Sequence, residues 1–435
     1  MRTIITPSDT QTALAMLSRQ RLFNATVAAI LLAAATACSS VTDPDKSGSD
    51  GTRVPALDAL PRPLTSGEQK LVASANDFSF ALFRQLAAAR KDSNVFASPL
   101  SASMALGMTM NGAAGPTFDQ MRSALAFGTA SEADINAGYK SLIALLRGLD
   151  PSVDVRIANS IWYRNGFPFN QTFLDAGKTW FDAQVSALDF AQQSAVTTIN
   201  NWVNSATTGK IPTIIDRIGQ DQVMFLINAI YFKGSWRDRF DPAETRDAPF
   251  RGVAGDQPMR LMHRNGKMSF LFSADVAAVD LPYGNSAYTM TVILPQPGTN
   301  IDAVAASLKP ETWALWLSQF RDVKTDVWLP KLKLEWERDL NDDLKALGMR
   351  DAFVPNGADF TRMSPRGREL YIDKVKQKTY VDINEEGTEA AAATSVGISV
   401  TSLPPSLRVD RPYIFVIRER LTGTIVFMGK IVRMP

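Results

Sequence analysis

One cysteine, one histidine and no long run of basic residues are what this 435-residue chain has least of. The cysteine is Cys38, so everything after it lacks a thiol, which excludes disulfides, thiolate catalysis and Cys-ligated zinc in the folded part. Any Ser-His mechanism would have to use His263 in "LMHRNGKM", yet no G-x-S-x-G elbow occurs and "FKGSW" lacks the second glycine. A lone His between apolar and basic residues reads as structural or solvated. There is no H-E-x-x-H, and "SATTGK" has no first glycine for a phosphate loop, so neither metal nor cofactor is expected. Carboxylate pairing is a spatial matter that the 44 acids leave open. A formal charge of +2 gives no electrostatic footprint for nucleic acid. No positive sign of an enzyme remains.

The N-terminal segment differs from the rest. Arg19 and Arg21 precede "LFNATVAAILLAAATA", an apolar stretch of signal-peptide length ending in small residues before Cys38. Ala35-Thr36-Ala37-Cys38 resembles a bacterial lipobox, in which the Cys is lipidated and begins the mature chain, although Ala35 stands where Leu is usual. The other reading is plain secretory cleavage with an incidental Cys. Residues 1–38 are therefore expected to direct export, with the product either lipid-anchored at Cys38 in the cell envelope or secreted. Residues 39–64, rich in Ser, Asp, Gly and Pro, read as a tether that buries too little apolar area to fold. Asp43, Asp45, Ser47 and Gly48 imitate the start of an EF-hand loop, but the position for the bidentate acid falls on Val54.

From residue 65 onward the chain reads as one α+β domain. Leu71, Ala75, Phe78, Leu82 and Leu86 recur at helical spacing, and Ser98-Pro99 supplies an N-cap followed by first-turn proline for a second helix that Asn111-Gly112 stops. Strand-like runs follow: "VRIANSIWYR", "VMFLINAIYFKGSW", "VAAVDLPY", "YTMTVILP", "DVWLPKLKLEWE", "LYIDKVKQKTYVDIN" and a C-terminal hairpin turning at Leu421-Thr422-Gly423. No regular βαβ rhythm joins them. Alternation along "DKVKQKTYVDIN" puts Gln377 on the face of Val375, Thr379, Val381 and Ile383. A buried amide there must find partners, since leaving it unpaired costs about 1–3 kcal/mol; the alternative is a surface glutamine on a strand polar on both faces.

"NEEGTEAAAATSVGIS", residues 384–399, is poor in core-forming side chains. Read as a strand, Thr388, Ala390, Ala392, Thr394, Val396 and Ile398 share a small-to-apolar face, while four alanines and two glycines make a poor permanent strand. A short Ala-rich helix bracketed by Gly387 and Gly397, or a flexible linker, fits the same residues.

Glu385 to Thr394, "EEGTEAAAAT", resembles the proximal hinge of inhibitory serpins, with Pro404-Pro405 and "DRPYIFVIRERLTGTIVFMGKIVRMP" following at that family's spacing. "NVFASPLSASMALGM" resembles the family's buried helix, "LINAIYFKGSW" with Phe240 and Thr245 its central strand, and "WLPKLKLEWERDLNDDLKALGM" the segment ahead of the loop. The resemblance runs over approximately residues 65–435. It implies the serpin fold, with a large central sheet, further sheets, surrounding helices and an exposed reactive loop. Serpins inhibit proteases by inserting that loop into a sheet.

Carried over by position, the resemblance implies a hinge at Glu385, Glu386, Gly387, Thr388, Glu389, Ala390, Ala391, Ala392, Ala393 and Thr394. A cluster governing sheet opening would contain Ser98, Ser101, Asn228 and Gln377, with Gln where the family commonly has His. Trp236 would lie under the insertion point and Lys331 would pair with Glu385. The scissile bond would join Thr401 to Ser402, with Val400 and Leu403 as alternative cut positions. "ISVTSLPP" has no basic residue, which points to elastase-like or subtilisin-like targets. The implied partner is a serine protease, or a cysteine protease, held as a covalent acyl complex by a monomeric inhibitor.

Overall fold

The structure, a computed structural model, describes residues 54–388 and 405–435. Its first helix, α1 (Ser66–Ala89), starts with a reciprocal cap in which Thr65 and Glu68 each accept from the other's backbone, and it buries Leu71, Ala75, Phe78, Leu82 and Leu86. After the short strand β1 (Val95–Ala97), Ser98 caps α2 (Pro99–Met110), where Pro99 occupies the first turn. Ala105 alone in α2 escapes full burial, as befits a helix apolar on all sides. Helices α3 (Gly115–Ala124) and α4 (Glu132–Gly148) complete this helical layer.

A mixed region follows: β2 (Val153–Arg164), α5 (Gln171–Phe181), β3 (Ala183–Leu188), α6 (Gln193–Ala206) and β4 (Met224–Ser235). Next come β5 (Arg246–Gly252), β6 (Gly255–Phe272), β7 (Val276–Pro282), β8 (Tyr288–Pro295), α7 (Ile301–Ser307) and α8 (Pro310–Gln319). The chain ends with β9 (Arg321–Pro330), β10 (Leu332–Asp339), α9 (Asn341–Ala346), β11 (Lys376–Asn384), β12 (Gly387–Thr388), β13 (Ser406–Arg408), β14 (Tyr413–Glu419) and β15 (Ile425–Ile431).

These strands form two sheets. One runs β1-β15-β14-β8-β7-β6-β9-β13 with β5 on β6; the other runs β10-β11-β12-β4-β2-β3. Helix α2 packs on both β4 and β15, so it lies between the sheets. The run "DVWLPKLKLEWE" is two strands, since the chain leaves one sheet at Pro330 and joins the other at Leu332. "LYIDKVKQKTYVDIN" becomes a strand only at Lys376. Strands β5 and β6 are invisible as strands in the sequence, yet all of β5 pairs with residues 255–261 of β6 despite Pro249 and Pro258 standing opposite one another.

The stretch read as tether differs at its end. Residues 54–64 lie on the folded body, where Leu57, Leu60 and Leu64 pack partly buried against the core. Apolar residues spaced through a Pro-rich segment supply enough contact to hold it there without secondary structure.

Candidate functional site

Strand β11 alternates as its sequence demands, with Gln377, Thr379, Val381 and Ile383 buried and Lys378, Tyr380 and Asp382 between them less so. Gln377 satisfies both halves of its amide on one residue: Ser98 N–H donates to Oε1 at 3.1 Å, and Nε2 donates to Ser98 O at 2.8 Å. Ser98 Oγ donates to Val426 O at 2.8 Å and accepts from Ser101 N–H at 3.3 Å. Ser98, Ser101 and Gln377 therefore form one connected group at the start of α2.

Asn228 shares no hydrogen bond with that group, though its Nδ2 lies 3.9 Å from Met104 Sδ on α2. Its Nδ2 donates to Asn159 Oδ1 at 2.6 Å, and Asn159 Nδ2 donates to Phe181 O at 2.6 Å. Asn228 Oδ1 is buried with no hydrogen-bond partner among the described residues. Asn159 was not singled out in the sequence; its signal is a polar side chain midway along an apolar strand.

After β11 the chain turns and enters the same sheet again. Gly387 and Thr388 pair antiparallel with Asn384 and Ile383 of β11 on one side, and with Ser235 and Gly234 of β4 on the other. Among the described residues, β11 and β4 are neighbours only through this two-residue strand. Gly387 has φ +154°, and a Cβ there would stand 2.1 Å from Gly234 O and 2.6 Å from Ser235 Cα. Backbone, not side chain, fills that space, so glycine is required. Thr388 is 3% exposed, and its hydroxyl bonds the Tyr283 hydroxyl at 2.9 Å.

Trp236 floors this turn. Its Nε1 donates to Asn384 O at 2.9 Å, its backbone N–H donates to Glu386 O at 2.7 Å, and its ring stacks on Tyr283 at 4.5 Å. Phe240 N–H donates to Glu385 O at 2.8 Å. The Glu385 carboxylate receives Lys331 Nζ at 2.6 Å on one oxygen and Thr245 Oγ1 at 2.8 Å on the other. Burial works to raise the Glu385 pKa, but the bonds from Lys331 and Thr245, its own N–H and the Lys331 charge outweigh it and hold the carboxyl below its usual range. Trp236, Lys331 and Glu385, positions carried over from the resemblance, stand together at this turn, while Tyr283 had given no signal beyond closing an apolar run. Residues Glu389 to Thr394, the Thr401–Ser402 bond with its alternatives Val400 and Leu403, and Cys38 lie outside the described residues.

Beyond the loop, β13 pairs parallel with β9, Ser406 opposite Asp326 and Arg408 opposite Trp328. The Thr325 hydroxyl donates to Pro405 O, and the Arg408 guanidinium lies 5.3 Å over the Trp328 ring. His263, on β6, the other strand partner of β9, stacks on Trp328 with ring centroids 4.0 Å apart, with Nδ1 2.5 Å from Glu244 Oε2 and Nε2 2.8 Å from Asp326 Oδ1. Both ring nitrogens face carboxylates and neither faces a hydroxyl, which is a structural role. No helix among the described residues is long and apolar enough to cross a membrane.

Comparison with known proteins agrees with this arrangement. The family model described as "Serpin (serine protease inhibitor)" matches residues 73–434. Human serpin B11 is 33% identical over 382 residues, 82% of this chain and 97% of its own. The horse leukocyte elastase inhibitor is 33% identical over 377 residues, 83% of this chain and 99% of its own. The crystal structure of human thyroxine-binding globulin superposes with a TM-score of 0.77 at 28% identity, covering 85% of this chain and all of that one. Two sheets flanked by helices, with a loop that starts as a strand inside one sheet and ends as a strand on the other, place this chain in the serpin family, whose members are mostly protease inhibitors rather than catalysts.

Proposed function

We propose that this serpin is an inhibitory one that traps a serine protease, or a cysteine protease using the same acyl chemistry, by inserting residues 388–401 between β11 and β4. The observation that carries the reading is β12: Gly387 and Thr388 already lie in the sheet, and among the described residues β11 and β4 meet only through them. The target's nucleophile attacks the carbonyl carbon of Thr401, the C–N bond to Ser402 breaks, the new amine leaves with a proton, and Thr401 stays esterified to the enzyme. Cutting frees the upstream segment to continue β12.

Continuing the present register places Ala390 between Val381 and Phe232, Ala392 between Thr379 and Ile230, and Thr394 between Gln377 and Asn228. Small side chains pass into this gap with little displacement of packed neighbours, and a threonine hydroxyl at the sixth step stands level with the unpartnered Asn228 Oδ1. Fourteen residues at about 3.3 Å each span about 45 Å, enough to carry a tethered protease far along the sheet. About ten new ladder bonds at about 0.5–1.5 kcal/mol each contribute about 5–15 kcal/mol toward distorting it before the ester hydrolyses.

A small β-branched residue before the cut, with no basic residue nearby, favours an elastase-like or subtilisin-like target with a shallow pocket. The N-terminal segment supports export and attachment through Cys38 to the cell envelope, or secretion where the Cys is not modified. The monomer is the acting unit. The second reading is a non-inhibitory binding or chaperone protein, favoured by the structural likeness to thyroxine-binding globulin; the run of small hinge residues weighs against it.

Incubation with pancreatic elastase, subtilisin, chymotrypsin and trypsin, read by denaturing gel and mass spectrometry, tests the proposal. A denaturant-resistant complex with a released peptide starting at Ser402 is expected. Loop cleavage without a complex by every enzyme, and without a rise in the melting temperature of the cleaved product, would favour the binding protein.

A further inference from the structure

The turn that receives the hinge has a second face, and the chain's own N-terminal segment covers it. Residues 283–287 join β7 to β8. On one side, Tyr283 stacks under Trp236 and bonds Thr388, and Gly284 N–H donates to Ser235 O at 3.0 Å at the end of β4. On the other, Leu57 N–H donates to Asn285 O at 2.7 Å. Two arginines tie the same parts together. Arg237 Nη1 donates to Gly284 O at 3.1 Å and to Val54 O at 3.0 Å, and its backbone N–H donates to Pro282 O at 2.8 Å. Arg420 donates from Nε to Ser286 O at 2.9 Å and from Nη2 to Leu57 O, and its backbone N–H donates to Ala287 O at 2.7 Å.

The segment is fixed at its far end as well. Arg62 pairs with both oxygens of Glu68 at 2.8 and 2.6 Å, a fork geometry that holds direction as well as distance. Between the two ends, Leu57 and Leu60 pack on the core. Arg237 directly follows Trp236, so the residue that floors the hinge and the residue that grips the N-terminal segment move as neighbours in the chain.

We propose that residues 54–64 are a strap that clamps the 283–287 turn from behind and thereby holds the insertion point, so that cutting or detaching the N-terminal segment changes how readily the hinge enters and leaves the sheet. The proposal takes its functional meaning from the inhibitory reading above, but its physical content is a coupling between two segments about 330 residues apart in sequence, Leu57 and Thr388. Each is in contact with one turn, and a turn held on both faces has less freedom to separate β4 from β11 than a turn held on one.

Hydrogen exchange in the full chain tests the coupling without relying on any protease. The double variant Leu57→Asp/Leu60→Asp removes the strap's apolar packing, and Leu57→Pro removes the donor to Asn285 together with the packing of one leucine. Amides of residues 234–236 and 386–388 are expected to exchange at least about tenfold faster in the double variant, and measurably faster in Leu57→Pro, with α2 unchanged as an internal reference. Exchange at 234–236 and 386–388 within about twofold of wild type would overturn the coupling, as would an equal rise in α2, which marks general loosening. Melting the loop-cleaved wild-type protein reports separately on the inhibitory reading. No gain in stability there would end that reading and leave the exchange result standing.

Discussion

The hydroxyls of Tyr283 and Thr388 meet at 2.9 Å inside the protein, where the first inserted residue of the loop is paired on both sides. Burial raises the Tyr283 pKa far above its ordinary value, so the phenol is a neutral donor or acceptor at every working pH. Thr388→Val keeps the shape and leaves the Tyr283 hydroxyl without this partner, at an expected cost of about 1–3 kcal/mol. Thr388→Arg is expected to abolish covalent trapping while loop cleavage continues, because a charged chain cannot pass into the gap and hydrolysis then wins. Complex formation at the wild-type yield on a denaturing gel would contradict this.

Gly387→Ala is predicted to expel β12 from the sheet, since the added carbon would overlap the Gly234 carbonyl oxygen. A lower melting temperature and a shift from inhibitor to substrate, measured as moles of protein consumed per mole of enzyme trapped, are the expected signs.

Acid should loosen both ends of this region. Glu385 is held below its usual range by Lys331 and Thr245 against the opposing effect of burial, and Glu68 is held at about 2, chiefly by Arg62. A carboxylate whose folded pKa is depressed contributes stability that is complete above the unfolded value of about 4.3 and is lost as pH falls through the folded value. Melting temperature should therefore be flat near neutrality and fall below about pH 4. Glu385→Gln should remove the hinge's share of that fall, and Lys331→Met should cost about 1 kcal/mol at neutral pH because Lys331 is half exposed.

Gln377 cannot titrate, so the group it forms with Ser98 is expected to respond little to pH between 5 and 8. Gln377→His should create a melting temperature that changes across that interval, where imidazole gains its proton. Gln377→Leu should destabilise by about 1–3 kcal/mol by stranding the Ser98 N–H. Calorimetry across pH on the three proteins decides both points.

What the sequence made legible followed local chemistry. Ser98-Pro99 marked the start of α2, alternation placed Gln377 inward on β11, and "YTMTVILP" is β8 from end to end. The Lys331–Glu385 pair was readable only through family resemblance, because the two stand 54 residues apart and no periodicity links them. Strands β5 and β6 escaped because prolines and glycines interrupt their alternation and their outward residues are charged, so the ladder itself, not residue pattern, defines them. The strap escaped because composition counts Pro, Asp and Gly and does not see where three leucines land. Asn228 shares no hydrogen bond with Gln377; its Nδ2 donates to Asn159 Oδ1 and to Met104 Sδ of α2, and it stands level with Gln377 if the register of β12 is carried further.

The crossing of β9 into β10 has a consequence for the loop as a length of string. One continuous stretch, residues 321–339, fastens both of the loop's ends: Asp326 stands opposite Ser406, and Lys331 grips Glu385. Five residues separate those fastenings, at most about 17 Å along an extended chain, while the chain from 385 to 406 has a contour length of about 70 Å. The contour length available between the two pegs is thus about four times the length of the spar between them. On the inhibitory reading, cutting the string leaves both pegs in place, so the upstream piece keeps its fixed point between β11 and β4 when its other end is freed.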